Sequence, residues 1–376
     1  MLVPIANEPR AYAWGSTSLM AEHLGRTPSG GPEAELWLGA HPECPAVVSS
    51  GPDAGTGLDA LLAARGLEPP RMLLKLLAAA EPLSLQAHPD AAQAREGFAR
   101  EDAAGVPRGA AHRSYRDPFP KPEVIVAVSR FEALCGFRPR AEALRALDAL
   151  ADADARVAPV AARVREGDAL GWLLSGAPEV AAAVAGAVAA GPAIAGSLPR
   201  EADTVARLHA AHPLDPGILV ALLLHRVSLE PGEALFLPAG NLHAYLEGLG
   251  VELMGASDNV IRGGLTPKHV DVDELLAVVD RATLDDPRLA PETLDGAVAY
   301  RPGAPFELRH VRGRHELPAR RAIALAVAPL DVVVDGAEHS IEPGEGAWID
   351  SGTRFAATTA DAWIALERDD RSSAAD

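Results

Sequence analysis

Cysteine is scarce in this chain: among its 376 residues the only two are Cys44 and Cys135. Two cysteines are too few for a disulfide scaffold, so we expect a reducing compartment. Long apolar runs are also missing, since no stretch of about 18 strongly apolar residues is uninterrupted. Residues 1–16 show no basic segment followed by an apolar run, so we predict no signal peptide. These absences predict a cytoplasmic protein.

Basic residues are outnumbered, because 34 lysines and arginines stand against 52 acidic residues and the formal net charge is −18. Nucleic acid and anionic membranes both bind basic surfaces, so we expect neither as a partner. A small anionic ligand in a local basic pocket is still compatible with this charge. The length, the 48% hydrophobic content, the 34 glycines and the 32 prolines indicate a turn-rich globular protein with two or three domains.

Lysine is the rarest of the charged residues. The 34 basic residues include only Lys75, Lys121 and Lys268, and the rest are arginines. An ammonium is a compact charge whose pKa is lowered by burial, so a lysine that arginine does not replace is often part of a site. The alternative is that three surface lysines survive by chance. Their positions in the motifs described below favour a role in a site.

A pattern of glycine, five residues and Pro-x-Gly-x-x-His occupies residues 232–243. Proline and glycine favour a tight turn between two strands, and the histidine then opens the second strand. His243 and Tyr245 lie two residues apart, so they share one face of that strand. This pattern resembles the second metal-binding motif of the cupin β-barrels.

A second candidate strand covers residues 84–88. Its period of two puts Ser84, Gln86 and His88 on one face, which would line a cavity, and apolar residues on the other. A lone histidine on a strand is more often a structural group than a ligand, but a Gln-x-His pair together with a second histidine motif favours a metal site. Lys75 lies just upstream in an apolar run, where an unpaired ammonium would be costly.

A charged triplet, Lys121-Pro122-Glu123, opens a strongly apolar strand predicted over residues 124–128. Proline is tolerated at the first residues of a strand, so we place the triplet at a barrel rim with Glu123 able to point inward. The alternative is an ordinary surface charge at the start of a strand.

Two nitrogen and two oxygen ligands are thus available for one metal ion, from Gln86, His88, Glu123 and His243. This set suits Zn²⁺ in a four-coordinate site, and ligand type alone also leaves manganese and iron open. The neighbouring charges are mostly positive, which favours an anionic substrate such as a phosphate and a metal or arginine that stabilises a developing oxyanion. These neighbours are Lys121, Arg262, Lys268 and Glu252.

Between residues 140 and 213 the sequence becomes alanine-rich with apolar residues at helical spacing. This pattern predicts three to five short helices inserted into a β domain. An internal repeat follows, because residues 228–245 align with residues 340–357 through a shared Glu-Pro-Gly-Glu segment. Phe355 stands where the first copy has His243, so the second copy lacks the metal histidine.

The predicted fold is mainly β with an α insertion, consisting of two cupin-like β-barrels of the jelly-roll type and one helical domain. The parts are a catalytic barrel from residues 1–139 and 214–270, a helical insertion at 140–213, and a C-terminal barrel lacking metal ligands at 271–376.

Four segments of the chain, LSLQAHPD, YRDPFPKPE, LPAGNLHAYLEG and VELMGASDNVIRGGLTPKHV, together resemble the type I mannose-6-phosphate isomerases, which are zinc enzymes of cupin fold with a helical insertion. The similarity runs over most of the chain, is closest at 72–90, 115–139 and 228–274, and includes all three lysines. It implies one zinc ion per chain on the four ligands named above.

The resemblance also implies roles for residues around the metal. Arg262 would be the catalytic arginine, and Ser84, Lys75 and Lys268 would help to hold a sugar phosphate. The pocket would further be lined by Tyr245, Glu252 and Asp258.

The reaction implied by the resemblance interconverts mannose 6-phosphate and fructose 6-phosphate through an enediol, without a redox cofactor. We expect Arg262 to stabilise the enediolate, and Glu252, Lys121 or a metal-bound water to act as the base. One alternative is a cupin oxygenase, which usually has a His-rich iron site. Another is a non-catalytic sugar-binding cupin. We expect a monomer or a weak homodimer.

Overall fold

The computed structural model describes residues 1–167 and 169–368. Its strands form two sheets of ten strands each. Most of its helices lie between residues 140 and 221. The prediction of a mainly β fold with two cupin-like barrels and a helical insertion is confirmed. In these two ranges, no helix is both long enough and apolar enough to cross a membrane.

The elements follow one another in three groups. Before the insertion come β1 (Leu2–Ala6), α1 (Leu19–His23), β2 (Glu35–Leu38), β3 (Val47–Val48), α2 (Leu58–Ala64), β4 (Met72–Ala79), β5 (Leu85–Ala87), α3 (Ala91–Ala103), β6 (Glu123–Ala127) and β7 (Phe131–Phe137). The helical group is α4 (Arg140–Ala153), a 3-10 helix (Ala155–Val157), α5 (Ala158–Glu166), α6 (Leu170–Leu173), α7 (Pro178–Ile194), α8 (Pro199–Ala211) and α9 (Gly217–Ala221). The last group is β8 (Leu224–Leu229), β9 (Ala234–Leu237), β10 (His243–Gly255), β11 (Ile261–Gly264), α10 (Val272–Val278), β12 (Arg288–Leu289), β13 (Glu292–Leu294), β14 (Ala297–Tyr300), β15 (Phe306–Leu317), β16 (Arg321–Ala326), β17 (Leu330–Val334), β18 (Ala337–Ile341), β19 (Gly346–Asp350) and β20 (Phe355–Glu367).

Strand β10 is the centre of the first barrel, which consists of β2 and β4 to β12. Its first residues pair with β5 and β7, and its residues from Gly248 onward pair with β4 and β6. Gly248 has a φ of +124°, and a Cβ atom there would lie 2.5 Å from the carbonyl oxygen of Arg130, so glycine is required. One strand therefore joins the strands that carry Lys75, Gln86 and Glu123.

The helical insertion packs against one face of the first barrel. Its buried apolar residues form a single cluster with Leu85 and Ala87 of β5 and with Ala244 and Leu246 of β10. Side chains alternate along a strand, so Gln86 points to the opposite face. The insertion thus fixes the orientation of the strand that carries this predicted ligand.

The number of helices agrees with the prediction. Residues 140–213 contain five α-helices, α4 to α8, and one 3-10 helix among the residues that the structure describes. Helical structure also continues beyond the predicted limit into α9. That boundary, like the others, stays a prediction.

The internal repeat is visible as the same turn in both barrels. In residues 230–233 and 342–345 the last glutamate donates its backbone N–H to the carbonyl oxygen of the first, at 2.9 and 3.1 Å. Gly232 and Gly344 have φ angles of +92° and +86°, which glycine adopts without strain. The turns join β8 to β9 and β18 to β19, so the sequence repeat is a structural repeat.

The first strand of the chain belongs to the second barrel, which consists of β1, β3 and β13 to β20. Ile5 lies opposite Gly346 in an antiparallel pair of β1 with β19, and β3 pairs with β1. Val3 and Ile5 are buried in an apolar cluster that includes Trp348. The predicted catalytic barrel from residues 1–139 and 214–270 therefore does not account for β1 and β3.

Candidate metal centre

Three of the predicted ligands meet at one point in the first barrel. His88 directly follows β5, Glu123 is the first residue of β6, and His243 is the first residue of β10. Each of the three residues is 1% exposed. Their potential ligand atoms all lie within 4.8 Å of one another, and the Nε2 atoms of His88 and His243 are each 3.4 Å from a carboxylate oxygen of Glu123.

Both imidazoles are held in a single orientation by backbone carbonyl groups. The Nδ1 atom of His88 lies 2.7 Å from the carbonyl oxygen of Asn259, and Nδ1 of His243 lies 3.0 Å from that of Asn241. A carbonyl oxygen can only accept, so each Nδ1 carries the proton and each Nε2 presents a lone pair to the site. This is the tautomer that a metal-binding imidazole needs.

Two buried atoms at this point have no hydrogen-bond partner among the described residues, His88 Nε2 and Glu123 Oε2. A buried polar atom without a partner costs about 1–3 kcal/mol. A divalent cation between the imidazoles and the carboxylate would satisfy both atoms with the ligand types that zinc prefers. The residues present therefore fit a metal ion.

Gln86 is the fourth predicted ligand and lies beside the other three. It is opposite His243 in the pairing of β5 with β10, and its Nε2 atom is 3.4 Å from His243 Nε2. A half-turn of the amide group would place its oxygen in the position of this nitrogen. The set would then consist of two nitrogen and two oxygen ligands.

The electrostatic environment favours the charge states that a metal site needs. Burial lowers the pKa of His88 to about 4, so this imidazole is neutral at pH 7. Burial alone would raise the pKa of Glu123, but Lys121, with its Nζ atom 3.1 Å from Oε1, and the two histidines bring it well below its usual value. A neutral histidine and a charged carboxylate can bind a cation without first losing a proton.

Lys75 lies in a buried group of charges on neighbouring strands. Its Nζ atom is 3.3 Å from Glu252 Oε2 and 3.8 Å from Glu35 Oε1, and it lies over the ring of Trp37. Burial opposes the charge of Lys75, but the carboxylates outweigh it and raise the pKa of the ammonium. The Tyr245 hydroxyl donates to Glu252 Oε1 at 2.9 Å. Lys75 and Tyr245 are thus joined through the two carboxylate oxygens of Glu252, and their predicted contacts with a substrate stay predictions.

A second group of cations contains the predicted Arg262 and Lys268. Burial lowers the pKa of half-buried Arg262, and nearby Arg116 lowers it further. The pKa of Lys268 is lowered by burial, by Arg262 and by Arg116. Within the described part of the chain, neither Arg262 nor Lys268 has a carboxylate partner. Cations that repel one another and lack counter-ions form a binding place for an anion.

The remaining predicted residues differ in how firmly they are held. Asp258 has its carboxylate 3.4 Å from His41 Nε2, and its backbone N–H donates to Asp117 at 2.8 Å. Ser84 precedes β5 and is half-buried. No side-chain hydrogen bond of Ser84 occurs among the described residues. Its predicted contact with substrate stays a prediction.

Sequence reasoning missed the residue that organises this end of the site, Asn259. Its side-chain oxygen accepts from the backbone N–H of Arg116 at 2.7 Å, and its Nδ2 donates to the carbonyl oxygens of Asp117 and Phe119 at 2.8 and 2.9 Å. The same residue's backbone carbonyl orients His88. The only signal in the sequence was a polar asparagine between two apolar segments. The contact of its backbone carbonyl with His88 could not be predicted, because every residue type has the same carbonyl group.

Comparisons with known proteins agree with this geometry. Residues 2–140 match the family described as phosphomannose isomerase type I, catalytic domain. Mannose-6-phosphate isomerase of Escherichia coli (strain K12) is 39% identical over 293 residues, covering 73% of this chain and 74% of that protein. The chain belongs to the type I phosphomannose isomerase family. It is therefore an enzyme of the isomerase class.

Other mannose-6-phosphate isomerases also match this chain. Mannose-6-phosphate isomerase of Emericella nidulans is 32% identical over 322 residues, covering 72% of this chain and 67% of that protein. The solved structure of the Salmonella typhimurium enzyme bound to its substrate, fructose 6-phosphate, and zinc has a TM-score of 0.85 and 29% identity, and covers 98% of this chain and 99% of that one. A zinc-bound holo structure of mannose 6-phosphate isomerase matches equally well. The zinc in these relatives agrees with the ligand types of His88, Glu123 and His243.

Proposed function

We propose that the chain interconverts D-mannose 6-phosphate and D-fructose 6-phosphate through an enediol, with one zinc ion on Gln86, His88, Glu123 and His243. The observation that carries this proposal is the pair of buried atoms without partners, His88 Nε2 and Glu123 Oε2, beside a second imidazole. The relative solved with zinc and fructose 6-phosphate supports both the ion and the substrate class.

The reaction moves protons and leaves the number of electrons unchanged. In the open-chain aldose, the proton on C2 passes to a base while the C1 carbonyl oxygen gains a proton, which gives the enediol. A proton then adds to C1, and the C2 hydroxyl loses its proton as the ketone forms. When bound, the metal ion polarises substrate oxygen atoms as a Lewis acid. The chain must therefore supply a base and a positive charge near C1 and C2.

Arg262 is the proposed source of that positive charge. Its guanidinium is half-buried and has no carboxylate partner in the described part of the chain, so no ion pair must break before it meets a developing oxyanion. In the pairing of β11 with β5 it lies opposite Gln86, next to the proposed metal ligands. A fixed cation in a partly desolvated place stabilises an enediolate more strongly than water does.

The proposed base is Glu252, Lys121 or a metal-bound water, and the chain's own two candidates differ in their surroundings. Burial raises the pKa of Glu252, which brings this carboxylate closer to the range that suits a general base at neutral pH. Both of its oxygens are engaged, one by Tyr245 and the other by Lys75. Lys121 lies beside Glu123, so its ammonium is near the metal site. Glu252→Gln and Lys121→Met, assayed for solvent exchange at C2, would separate the two roles.

The proposed phosphate contacts are Lys268, Ser84 and Lys75. Lys268 is the best supported, because its exposed ammonium lacks a carboxylate partner among the described residues and repels Arg262 and Arg116. A phosphate would relieve this repulsion. Lys75 already has two carboxylate neighbours, so any contact it makes with phosphate competes with Glu252.

The test is a coupled assay with mannose 6-phosphate and with fructose 6-phosphate, before and after chelation and after zinc is restored. We expect turnover in both directions, loss with a chelator, recovery with zinc, and incorporation of deuterium at C2 in heavy water. Sugar binding without exchange at C2 would instead indicate a non-catalytic cupin. Oxygen consumption with bound iron would indicate an oxygenase.

We further propose that the enzyme works in the cytoplasm as a monomer or weak homodimer. The low cysteine count supports a reducing compartment. Sedimentation velocity over a hundredfold range of protein concentration tests the oligomeric state, and a stable tetramer would contradict it.

A further inference from the structure

A cavity of about 360 Å³ opens between the helical insertion and the first barrel. We call it the insertion cavity. It is lined by the residues around Arg138 after β7, by one side of α4, by the first turn of α8, and by the segment that leads into β8. None of these residues belongs to the candidate metal centre. Its size is that of a pocket for a small molecule.

Four arginines line the insertion cavity, Arg138, Arg145, Arg200 and Arg226, although the whole chain is strongly acidic. Two of them are neutralised: Arg138 pairs with Glu201 at 3.0 Å, and Arg226 lies 2.5 Å from Asp203 and 3.2 Å from Glu132. Arg145 and Arg200 have no carboxylate partner within residues 1–167 and 169–368.

The acidic residues of the lining do not cancel this charge. They are Glu142 and Glu201, and Glu201 is already paired with Arg138. His225 also lines the cavity and is engaged with the carbonyl oxygen of Leu284 at 2.7 Å. The cavity therefore has more positive than negative charge facing it.

The first turn of α8 adds a second source of positive potential. This helix has 13 residues, begins at Pro199, and is preceded by Leu198, whose side chain makes no capping hydrogen bond. The first N–H groups of a helix have no partner within it, and the helix dipole makes this end electropositive. Anions bind at such ends when other groups help to hold them.

Arg138 is an almost fully buried arginine beside the insertion cavity. Its side chain is 9% exposed, its Nε donates to the carbonyl oxygen of Leu222 at 2.9 Å, and its Nη1 donates to Glu201. Its Nη2 is buried and has no hydrogen-bond partner in the described part of the chain. Arginine is rarely left with an unused buried donor, because such a donor costs free energy.

We propose that the insertion cavity binds a phosphorylated small molecule, at a site separate from the candidate metal centre. A phosphomonoester carries about −1.5 to −2 charges at neutral pH and three acceptor oxygens. It can accept from Arg145 and Arg200, which have no carboxylate partner within residues 1–167 and 169–368, and from the first turn of α8. Arginines bind phosphate in a bidentate way, with two parallel N–H donors.

Binding of radiolabelled inorganic phosphate to the zinc-loaded full chain tests this proposal, with Arg145→Ala/Arg200→Ala as the cavity variant and Arg262→Ala/Lys268→Ala as the pocket variant. Arg145 and Arg200 are exposed, so the cavity variant should fold. The midpoint of its urea unfolding curve should match that of the native chain. We expect two classes of phosphate site in the native chain. In the cavity variant, the affinity for phosphate at one class of site should fall at least tenfold. Its isomerase turnover should be unchanged.

The matched control is Arg95→Ala/Arg354→Ala, which removes two exposed arginines that have no ion pair among the described residues and lie outside the insertion cavity. This control should keep both classes of phosphate site. The proposal is overturned if the cavity variant binds phosphate like the native chain, or if the control loses as much binding. It is also overturned if crystals soaked in tungstate show no anomalous density in the insertion cavity beside Arg145 and Arg200. None of these results bears on isomerase turnover, so failure here is distinct from failure of the proposed reaction.

Discussion

His243 and Phe355 hold the same position in the two barrels. Each is the first residue of a 13-residue strand, β10 in the first barrel and β20 in the second. Each strand follows a shorter one, β9 or β19, after the Glu-Pro-Gly-Glu turn. His243 faces a carboxylate and a second imidazole, whereas Phe355 is 1% exposed within an apolar cluster. One repeated framework thus supports a polar site in one barrel and an apolar core in the other.

Phe355→His should not create a second metal site. The second barrel has no cluster of three potential ligands among the described residues. We expect a loss of about 3 kcal/mol in the free energy of unfolding, because a buried ring is replaced by a smaller polar one without partners. Zinc analysis should still give one ion per chain. Two ions in Phe355→His would show that the repeat alone can build a site.

His243→Ala should abolish stable zinc binding, since the variant loses one of the two proposed nitrogen ligands. We expect at least about a hundredfold loss in zinc affinity, more than is typical of a change outside the first ligands. Elemental analysis after dialysis against a mild chelator measures it. His339→Ala, in the second barrel, is the control and should keep its zinc. Full zinc content in His243→Ala would contradict the proposed ligand set.

Lys75→Met should destabilise the fold, because Glu252 and Glu35 would be left buried without their cation. Removal of one partner from a buried ion pair costs about 3–5 kcal/mol. Adding Glu252→Gln should recover part of this loss, with a coupling energy of about 1–3 kcal/mol in a double-mutant cycle. Urea unfolding of the four proteins measures the cycle. Strictly additive effects would mean that the pair does not act as a unit.

Arg262→Ala should lower kcat/KM by about 100- to 1000-fold, the range expected when one stabilising group of a transition-state anion is removed. Arg262→Lys keeps the charge and should lose less activity. Zinc content should be the same in both variants, which separates this effect from loss of the metal. Arg95→Ala is the control for removal of an exposed arginine. Near-normal turnover in Arg262→Ala would refute the assigned role.

The acid stability of the second barrel should depend on Glu307. Burial raises the pKa of Glu307, but Arg309 and Arg301 more than offset this and bring it below its ordinary value near 4.5. A carboxylate with a lowered folded pKa stabilises the fold above its ordinary pKa, and this stability is lost as the pH falls through the folded pKa.

Glu307→Gln should therefore lower the free energy of unfolding by about 3 kcal/mol at pH 7, since Arg309 stays buried beside a neutral group. The difference from the native chain should shrink below pH 4.5. Urea unfolding at pH 7 and at pH 3 to 4 measures this trend. A difference that is the same at every pH would show that the effect is only one of packing.

The proposed metal ligands could be found from the sequence because each lies in or beside a strand with a clear local pattern. Gln86 and His88 follow the period of two, and His243 follows a Pro-x-Gly turn. The strand at Gln86 is shorter than predicted, residues 85–87 instead of 84–88, yet Leu85 and Ala87 are buried and Gln86 faces away from them as predicted. The local pattern of polar and apolar residues was therefore enough to predict which face of the strand these side chains occupy.

The partners of these residues could not be found in the same way. Glu35 meets Lys75 because β2 pairs with β4, and Asn259 orients His88 through a backbone carbonyl. Arg116 lowers the pKa of both Arg262 and Lys268, although it is far from them in the sequence. Contacts between distant segments depend on the pairing of strands, and a carbonyl group is the same in every residue. Neither kind of contact can be predicted from residue types or their spacing.

Strand β1 is completed by β19, from which almost the whole length of the sequence separates it. During synthesis on a ribosome, Leu2–Ala6 emerges long before Gly346–Asp350 is made. Until β19 has been made, the backbone groups of β1 that pair with it have no partner. Loop closure over such a length is also slow. The second barrel can therefore be closed only after β19 has been made, and a chain truncated before β19 would expose an unpaired strand edge that favours aggregation.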